Sequence, residues 1–99
     1  MNQKERLNKL TERLGNQKTF IDDGYYQVKR VDEKVEISFS IKDPCGASLY
    51  HPRMIVEKGK AISFYDNYST PIVFILDDES FLEESLEKLL RKFEQAVER

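Results

Sequence analysis

The sequence has few of the residues from which cofactor and metal sites are usually built. Its 99 residues include one cysteine, one histidine and no tryptophan. A lone cysteine cannot form an internal disulfide, and a metal site usually needs more cysteine or histidine ligands than one of each. No spacing matches a phosphate-binding loop, a calcium loop or a dinucleotide fingerprint. We therefore expect no cofactor, no metal ion and no disulfide.

The sequence also lacks a long apolar run. The longest, residues 72–76, has five residues, far fewer than the ~20 that a membrane-spanning helix needs. The first residues contain no apolar core of the kind found in signal peptides. The net charge of −2 is too small to indicate binding to nucleic acid or to a membrane surface. These absences predict a cytoplasmic protein that binds neither.

Two helices are predicted from apolar residues at helical spacing. Residues 3–14 carry leucines three and four positions apart, followed by a glycine that favours a helix end. Residues 80–97 carry a broader apolar stripe, preceded by Ser80 and Glu83 in the spacing of a capping box. Residues 1–20 contain five basic and two acidic side chains, and residues 77–99 contain four basic and eight acidic ones. This opposite charge predicts that the two helices lie side by side.

The region between the helices, residues 24–76, is predicted to form five strands. In its clearest segment four apolar residues alternate with polar ones, at Val35, Ile37, Phe39 and Ile41. Such alternation is typical of an antiparallel sheet with one buried and one solvated face. We therefore predict a single α+β domain over residues 1–99, in the order α-β-β-β-β-β-α. A mainly antiparallel five-stranded sheet would pack against the N-terminal and the C-terminal helix.

The longest connection, residues 43–53, contains the only cysteine and the only histidine. In a simple meander it would lie at the same end of the sheet as the loop of residues 66–71 and the connection of residues 16–23. Loops carry binding residues more often than tight turns do, and tyrosine suits interfaces. We predict a binding surface at Tyr50, His51, Arg53, Tyr65, Asn67 and Tyr68. The alternative is that Tyr50 and Tyr65 only complete the core.

The fifth predicted strand, residues 72–76, is apolar throughout. We expect Ile72, Phe74 and Leu76 to face the helices, and Val73 and Ile75 to point to the other side. A strand buried on both faces would explain this run. The alternative is that Val73 and Ile75 form a patch through which the chain associates with itself.

These features favour a non-enzymatic protein-binding module, such as an inhibitor, an immunity-type protein or an adaptor. Its partner would be another protein or a second copy of the chain, and no catalytic residue is assigned. The alternative is a small thiol-dependent enzyme or redox-sensitive protein that uses Cys45 with His51. That chemistry requires the imidazole within hydrogen-bond reach of the thiolate, which a separation of six residues permits but does not require.

Overall fold

The computed structural model describes residues 2–98, which form two helices and six strands. In chain order these are α1 (Gln3–Leu14), β1 (Thr19–Ile21), β2 (Gly24–Val31), β3 (Lys34–Lys42), β4 (Ser48–Glu57), β5 (Lys60–Asp66), β6 (Val73–Ile75) and α2 (Glu79–Val97). The strands form one antiparallel sheet in sequential order from β1 to β6. The predicted α+β class is confirmed, with six strands rather than five. Met1 and Arg99, which belong to the predicted domain of residues 1–99, lie outside the described residues.

The strand that the sequence did not predict is β1. It has three residues and joins β2 through a tight turn, in which Asp23 N donates a hydrogen bond to Ile21 O at 2.6 Å. Because β1 adds one strand, the connection from α1 reaches the sheet at the end opposite to the predicted one. There Asn16 Oδ1 accepts a hydrogen bond from Arg30 N at 2.9 Å.

The predicted loop of residues 43–53 is also shorter than expected. Strand β4 begins at Ser48 and pairs with β3 from its first residue, Ser48 opposite Lys42. Residues 43–47 alone form the connection, which the Asp43 carboxylate closes by accepting from Cys45 N and Ala47 N. His51 and Arg53 are therefore strand residues.

Both helices pack on one face of the sheet and share one hydrophobic core with it. Phe93 of α2 meets Tyr26 of β2 edge-on, with ring centroids 4.9 Å apart. Phe81 at the start of α2 meets Phe64 of β5 in the same way at 5.0 Å. The buried apolar residues are Leu7, Leu10, Tyr26, Val28, Ile37, Phe39, Met54, Val56, Ala61, Leu82, Leu86, Leu89, Leu90, Phe93 and Ala96.

The helix ends are set by side chains and one glycine. Asn2 caps α1 by accepting from Glu5 N, and Gly15 ends that helix with φ at +62°, a conformation that favours glycine. Asp78 caps α2 by accepting from Phe81 N. The predicted capping box of Ser80 and Glu83 is therefore wrong, because Ser80 already lies inside the helix. Within residues 2–98, neither helix is long and apolar enough to cross a membrane.

The predicted attraction between the two ends of the chain is confirmed by Arg6. Its guanidinium donates to Glu87 Oε1 and to Glu94 Oε1, both at 2.7 Å, and its Nε donates to Glu94 Oε2 at 2.9 Å. Hydrogen bonds from Arg6 lower the pKa of Glu87 to about 2 and also lower that of Glu94. The same contacts raise the pKa of Arg6. This charged cluster holds α1 along α2.

Candidate interaction surface

The side of the sheet opposite the helices is not covered by any other part of residues 2–98, and we call it the open face. Strand alternation and register place on it Phe20 opposite Tyr25, Glu36 opposite Ile55, and Arg53 opposite Tyr65. These residues alternate with the core residues of the same strands. The open face includes Phe20, Tyr25, Gln27, Lys29, Glu36, Ser38, Ser40, Lys42, Tyr50, Arg53, Ile55, Ser63, Tyr65 and Phe74, and the Lys18 ammonium group lies beside it at the Tyr25 ring.

Three aromatic rings form a row across β4, β5 and β6 on this face. The Tyr50 and Tyr65 centroids are 6.4 Å apart, and those of Tyr65 and Phe74 are 6.0 Å apart and nearly perpendicular. The Arg53 guanidinium carbon lies 5.7 Å from the Tyr50 centroid. Together with Ile55, Ser63 and Asn67 these residues line a shallow cavity of about 460 Å³. The cavity is therefore lined by aromatic rings and by the positively charged Arg53 guanidinium.

Arg53 is anchored at the middle of this face. Its Nε is buried and lies 2.6 Å from Glu36 Oε1, in an ion pair whose geometry does not make a hydrogen bond. Ser38 and Ser40 lie opposite Arg53 and Tyr50 on β3, and each is 1% exposed. The long side chains around these serines therefore cover the middle of the sheet. A binding partner would therefore contact these longer side chains, and not Ser38 or Ser40 beneath them.

A second aromatic group lies at the β1 side of the open face. Phe20 and Tyr25 meet edge-on at 5.1 Å, and the Lys18 and Lys42 ammonium groups lie 5.5 and 5.9 Å from the Tyr25 centroid. Within residues 2–98, Lys18, Lys29 and Lys42 make no ion pair, whereas Glu36 is paired with Arg53. The open face therefore carries an excess of positive charge, although the whole chain is slightly negative.

A separate polar cluster lies where β5 ends. The Asp66 side chain is 7% exposed; its Oδ2 lies 2.5 Å from His51 Nδ1, and its Oδ1 accepts from Tyr68 N and Ser69 N. The rings of His51 and Tyr68 lie 4.8 Å apart. The carboxylate therefore orients the imidazole and fixes the start of the loop after β5.

The structure brings together four of the predicted binding residues, Tyr50, Arg53, Tyr65 and Asn67, around the shallow cavity. Asn67 is held there by Tyr50, whose N donates to Asn67 Oδ1 at 2.6 Å and whose O accepts from Asn67 N at 3.1 Å. His51 and Tyr68 lie together in the Asp66 cluster instead. The predicted meeting of the two tyrosine-bearing connections at one end of the sheet indicated part of this arrangement.

The predicted orientation of the last strand is wrong. Ile75 lies opposite Phe64 and packs against the core, whereas Phe74 lies opposite Tyr65 on the open face and is 61% exposed. The apolar run hides this orientation, because it has no polar residues to mark a solvated side. β6 is also an edge strand and not a central one. Phe74 is the main residue of this surface that the sequence did not predict.

Cys45 and His51 belong to different hydrogen-bond networks. Cys45 is exposed in the connection between β3 and β4, and its backbone N–H donates to Asp43 Oδ1 at 2.9 Å. Across residues 2–98 there is no hydrogen bond between Cys45 and His51. The described residues therefore do not form the thiol–imidazole hydrogen bond that a Cys–His pair uses.

A groove of about 940 Å³ lies between α1 and the turns at the other end of the sheet. Leu7, Val35 and Val56 contribute its apolar part. Its charged rim mixes three basic residues with three acidic ones, namely Lys4, Arg30, Lys58, Glu12, Asp32 and Glu33. Because these charges compensate one another, the groove has no clear charge preference for a ligand.

Comparison of the chain with protein-family models, curated proteins and solved structures gives no significant match.

Proposed function

We propose that the chain is a small protein-binding module whose binding surface is the open face of the sheet. The observation that carries the proposal is the aromatic row of Tyr50, Tyr65 and Phe74, with the Arg53 guanidinium beside the Tyr50 ring. Tyrosine and arginine are enriched among the residues that dominate binding energy at protein interfaces. An uncovered sheet face that presents them together is typical of an interaction surface.

The charge of this surface favours an acidic protein partner. Lys18, Lys29 and Lys42 have no carboxylate partner within residues 2–98, so a partner's carboxylates can pair with them without displacing an existing ion pair. Complementary charge of this kind raises association rates and selects partners. An inhibitor, an immunity-type protein or an adaptor in the cytoplasm would use such a surface, and none of these roles requires a catalytic residue.

The arrangement of the rings favours protein over single-stranded nucleic acid. Binders of single strands present ring faces on which bases stack, beside a positive groove. Here Tyr65 and Phe74 meet at 84°, and two lysine ammonium groups lie over Tyr25. Neighbouring rings therefore do not offer parallel faces to a run of stacked bases, and the net charge of −2 gives no long-range attraction for nucleic acid.

The thiol-dependent alternative has less support from the geometry. The His51 ring nitrogen Nδ1 is engaged by Asp66, and Cys45 lies in a separate turn. A Cys–His pair acts as nucleophile and base only when the two groups are within hydrogen-bond reach.

Site-specific photo-crosslinking in the cells that produce the protein tests the proposal. A photoreactive residue is placed at Tyr65 on the open face, and at the exposed Lys88 on α2 as the control position. We expect a discrete protein adduct from position 65 and none from position 88. Lys42→Glu should weaken the adduct, because it reverses an unpaired charge, whereas Lys88→Glu should leave it unchanged.

Three outcomes would overturn the proposal. These are the absence of an adduct at position 65, equal adducts at both positions, and an adduct that nuclease treatment removes. The last result would identify the open face as a nucleic-acid surface. Circular dichroism of each variant checks that the fold is retained.

A further inference from the structure

The free edge of the sheet at β6 is unusually apolar. β6 pairs with β5 on one side and with nothing in residues 2–98 on the other. Ile72, Phe74 and Leu76 are 61%, 61% and 53% exposed. Proteins usually protect an edge strand with charges or a bulge, because its unpaired N–H and C=O groups can bind another strand. No charged side chain interrupts residues 72–76.

The order of residues along this edge is self-complementary. When two copies are aligned antiparallel about Phe74, Ile72 faces Leu76, Val73 faces Ile75, and Phe74 faces its own equivalent. The exposed residues then meet exposed residues, and the half-buried ones meet half-buried ones. This is the symmetry of an isologous two-fold interface, in which the same patch serves both subunits.

The charged residues that follow β6 are also compatible with this antiparallel register. The acidic residues that follow the strand, Asp77 and Asp78, would face Pro71 and Thr70 of the second copy. No carboxylate would face another carboxylate. The opposite edge of the sheet differs, because the exposed Phe20 of β1 is flanked by Lys18 and by Asp22 and Asp23.

We propose that two copies of the chain associate through β6, by antiparallel pairing centred on Phe74, to form a continuous twelve-stranded sheet. The aromatic row would then continue from one subunit into the other. Phe74 is the last ring of the row, it lies on the edge strand, and its centroid is 6.0 Å from that of Tyr65. Directly opposed aromatic residues stabilise antiparallel pairs. The proposal does not depend on a partner for the open face, which the dimer leaves accessible.

The dimer should be weak. The three residues of β6 and the apolar residue on each side of them would bury much less than the ~1,200–2,000 Å² of a stable interface. We expect a dissociation constant on the order of 10–100 µM, in the range of small transient interfaces. Association must therefore be measured up to several hundred micromolar.

Sedimentation velocity over a concentration series tests the proposal with a matched pair of variants. Phe74→Lys and Phe20→Lys change residues of nearly equal exposure, 61% and 60%, each at the centre of a three-residue edge strand. We expect the unmodified chain and Phe20→Lys to approach twice the monomer mass. Phe74→Lys should stay monomeric, because it places two like charges opposite each other on the two-fold axis.

A crosslink tests the register. In a Cys45→Ser background, Phe74→Cys should form a disulfide-linked dimer under mild oxidation, because the residue faces its own equivalent. Phe20→Cys is the control and should not. The proposal is overturned by an unmodified chain that stays monomeric at the highest concentration, by growth beyond the dimer, or by equal effects of the two lysine variants.

Discussion

His51 Nδ1 lies 2.5 Å from Oδ2 of Asp66, and the two side chains differ sharply in exposure, 45% for His51 against 7% for Asp66. The buried Asp66 carboxylate therefore holds the exposed His51 imidazole in one orientation. Its second oxygen accepts from Tyr68 N and Ser69 N. One side chain thus connects β4 to the loop after β5, and this loop carries Asn67 of the candidate surface.

Replacing Asp66 should destabilise the fold in a graded way. Asp66→Ala leaves two backbone N–H groups without their acceptor, so we expect a loss of about 1–3 kcal/mol in the free energy of unfolding. Asp66→Asn keeps one acceptor oxygen and should lose less. Urea denaturation measures both variants. Glu33→Ala, in an exposed turn, is the control and should stay within about 0.5 kcal/mol. An Asp66→Ala variant as stable as this control would contradict the assigned role.

The Arg6 cluster predicts a loss of stability in acid. Glu87 and Glu94 have lower pKa values in the folded chain than the ~4.3 of a free glutamate. Their contribution is therefore complete above pH ~4.3 and is lost as the pH falls toward the folded value, about 2 for Glu87. Because these carboxylates are about one-third exposed, we expect Arg6→Gln to cost only about 1–2 kcal/mol at pH 7.

Urea midpoints between pH 7 and pH 2 test this prediction. The difference between the unmodified chain and Arg6→Gln should shrink as the pH falls below ~4.3. Lys60→Gln removes a solvent-exposed contact to Glu79, in which the two side chains are 64% and 78% exposed, and should leave the midpoint nearly unchanged at every pH. A difference for Arg6→Gln that stays constant down to pH 2 would show that the ion pairs do not cause it.

The sequence predicted the features that depend on periodicity. The two helices and the β3 strand have regular apolar spacing, so their position and their buried side follow from it. β1 has only three residues, and β6 has no polar residue to mark its solvated side. Apolar spacing therefore could not predict which side of either strand is buried. The open face joins side chains from strands that are far apart in the chain. Tyr50 and Tyr65 were predicted as loop neighbours, and Phe74 joins them only through the register of β5 with β6.

Gly24 should be replaceable only at a cost, because it lies against Phe39. A Cβ atom at Gly24 would be 2.6 Å from two ring carbons of Phe39 and 2.8 Å from Ser40 O. We expect Gly24→Ala to destabilise the fold by about 1–3 kcal/mol, as overpacked cores do. Combining it with Phe39→Leu should recover part of the loss.

Gly46 provides the contrast for this prediction. Its φ is +87°, and a Cβ atom there would meet no neighbouring side chain or backbone within 4 Å. Gly46→Ala should therefore cost stability through the backbone conformation alone. In the Gly46→Ala variant, Phe39→Leu should therefore lower the stability by its own cost and recover none of the loss caused by Gly46→Ala. If the two glycine variants responded alike to Phe39→Leu, steric contact with Phe39 would not be the cause at Gly24.

Cys45 should react as an isolated surface thiol. It is exposed and forms no hydrogen bond with His51 in the described part of the chain. We therefore expect iodoacetamide to alkylate the folded chain at a rate within about threefold of that of the urea-unfolded chain, since thiolate reactivity depends on local charge and access. His51→Ala should leave the rate and its pH dependence unchanged. A marked slowing in His51→Ala, with the fold intact, would restore the thiol-dependent enzyme as the better hypothesis, because only a base that acts on Cys45 would produce it.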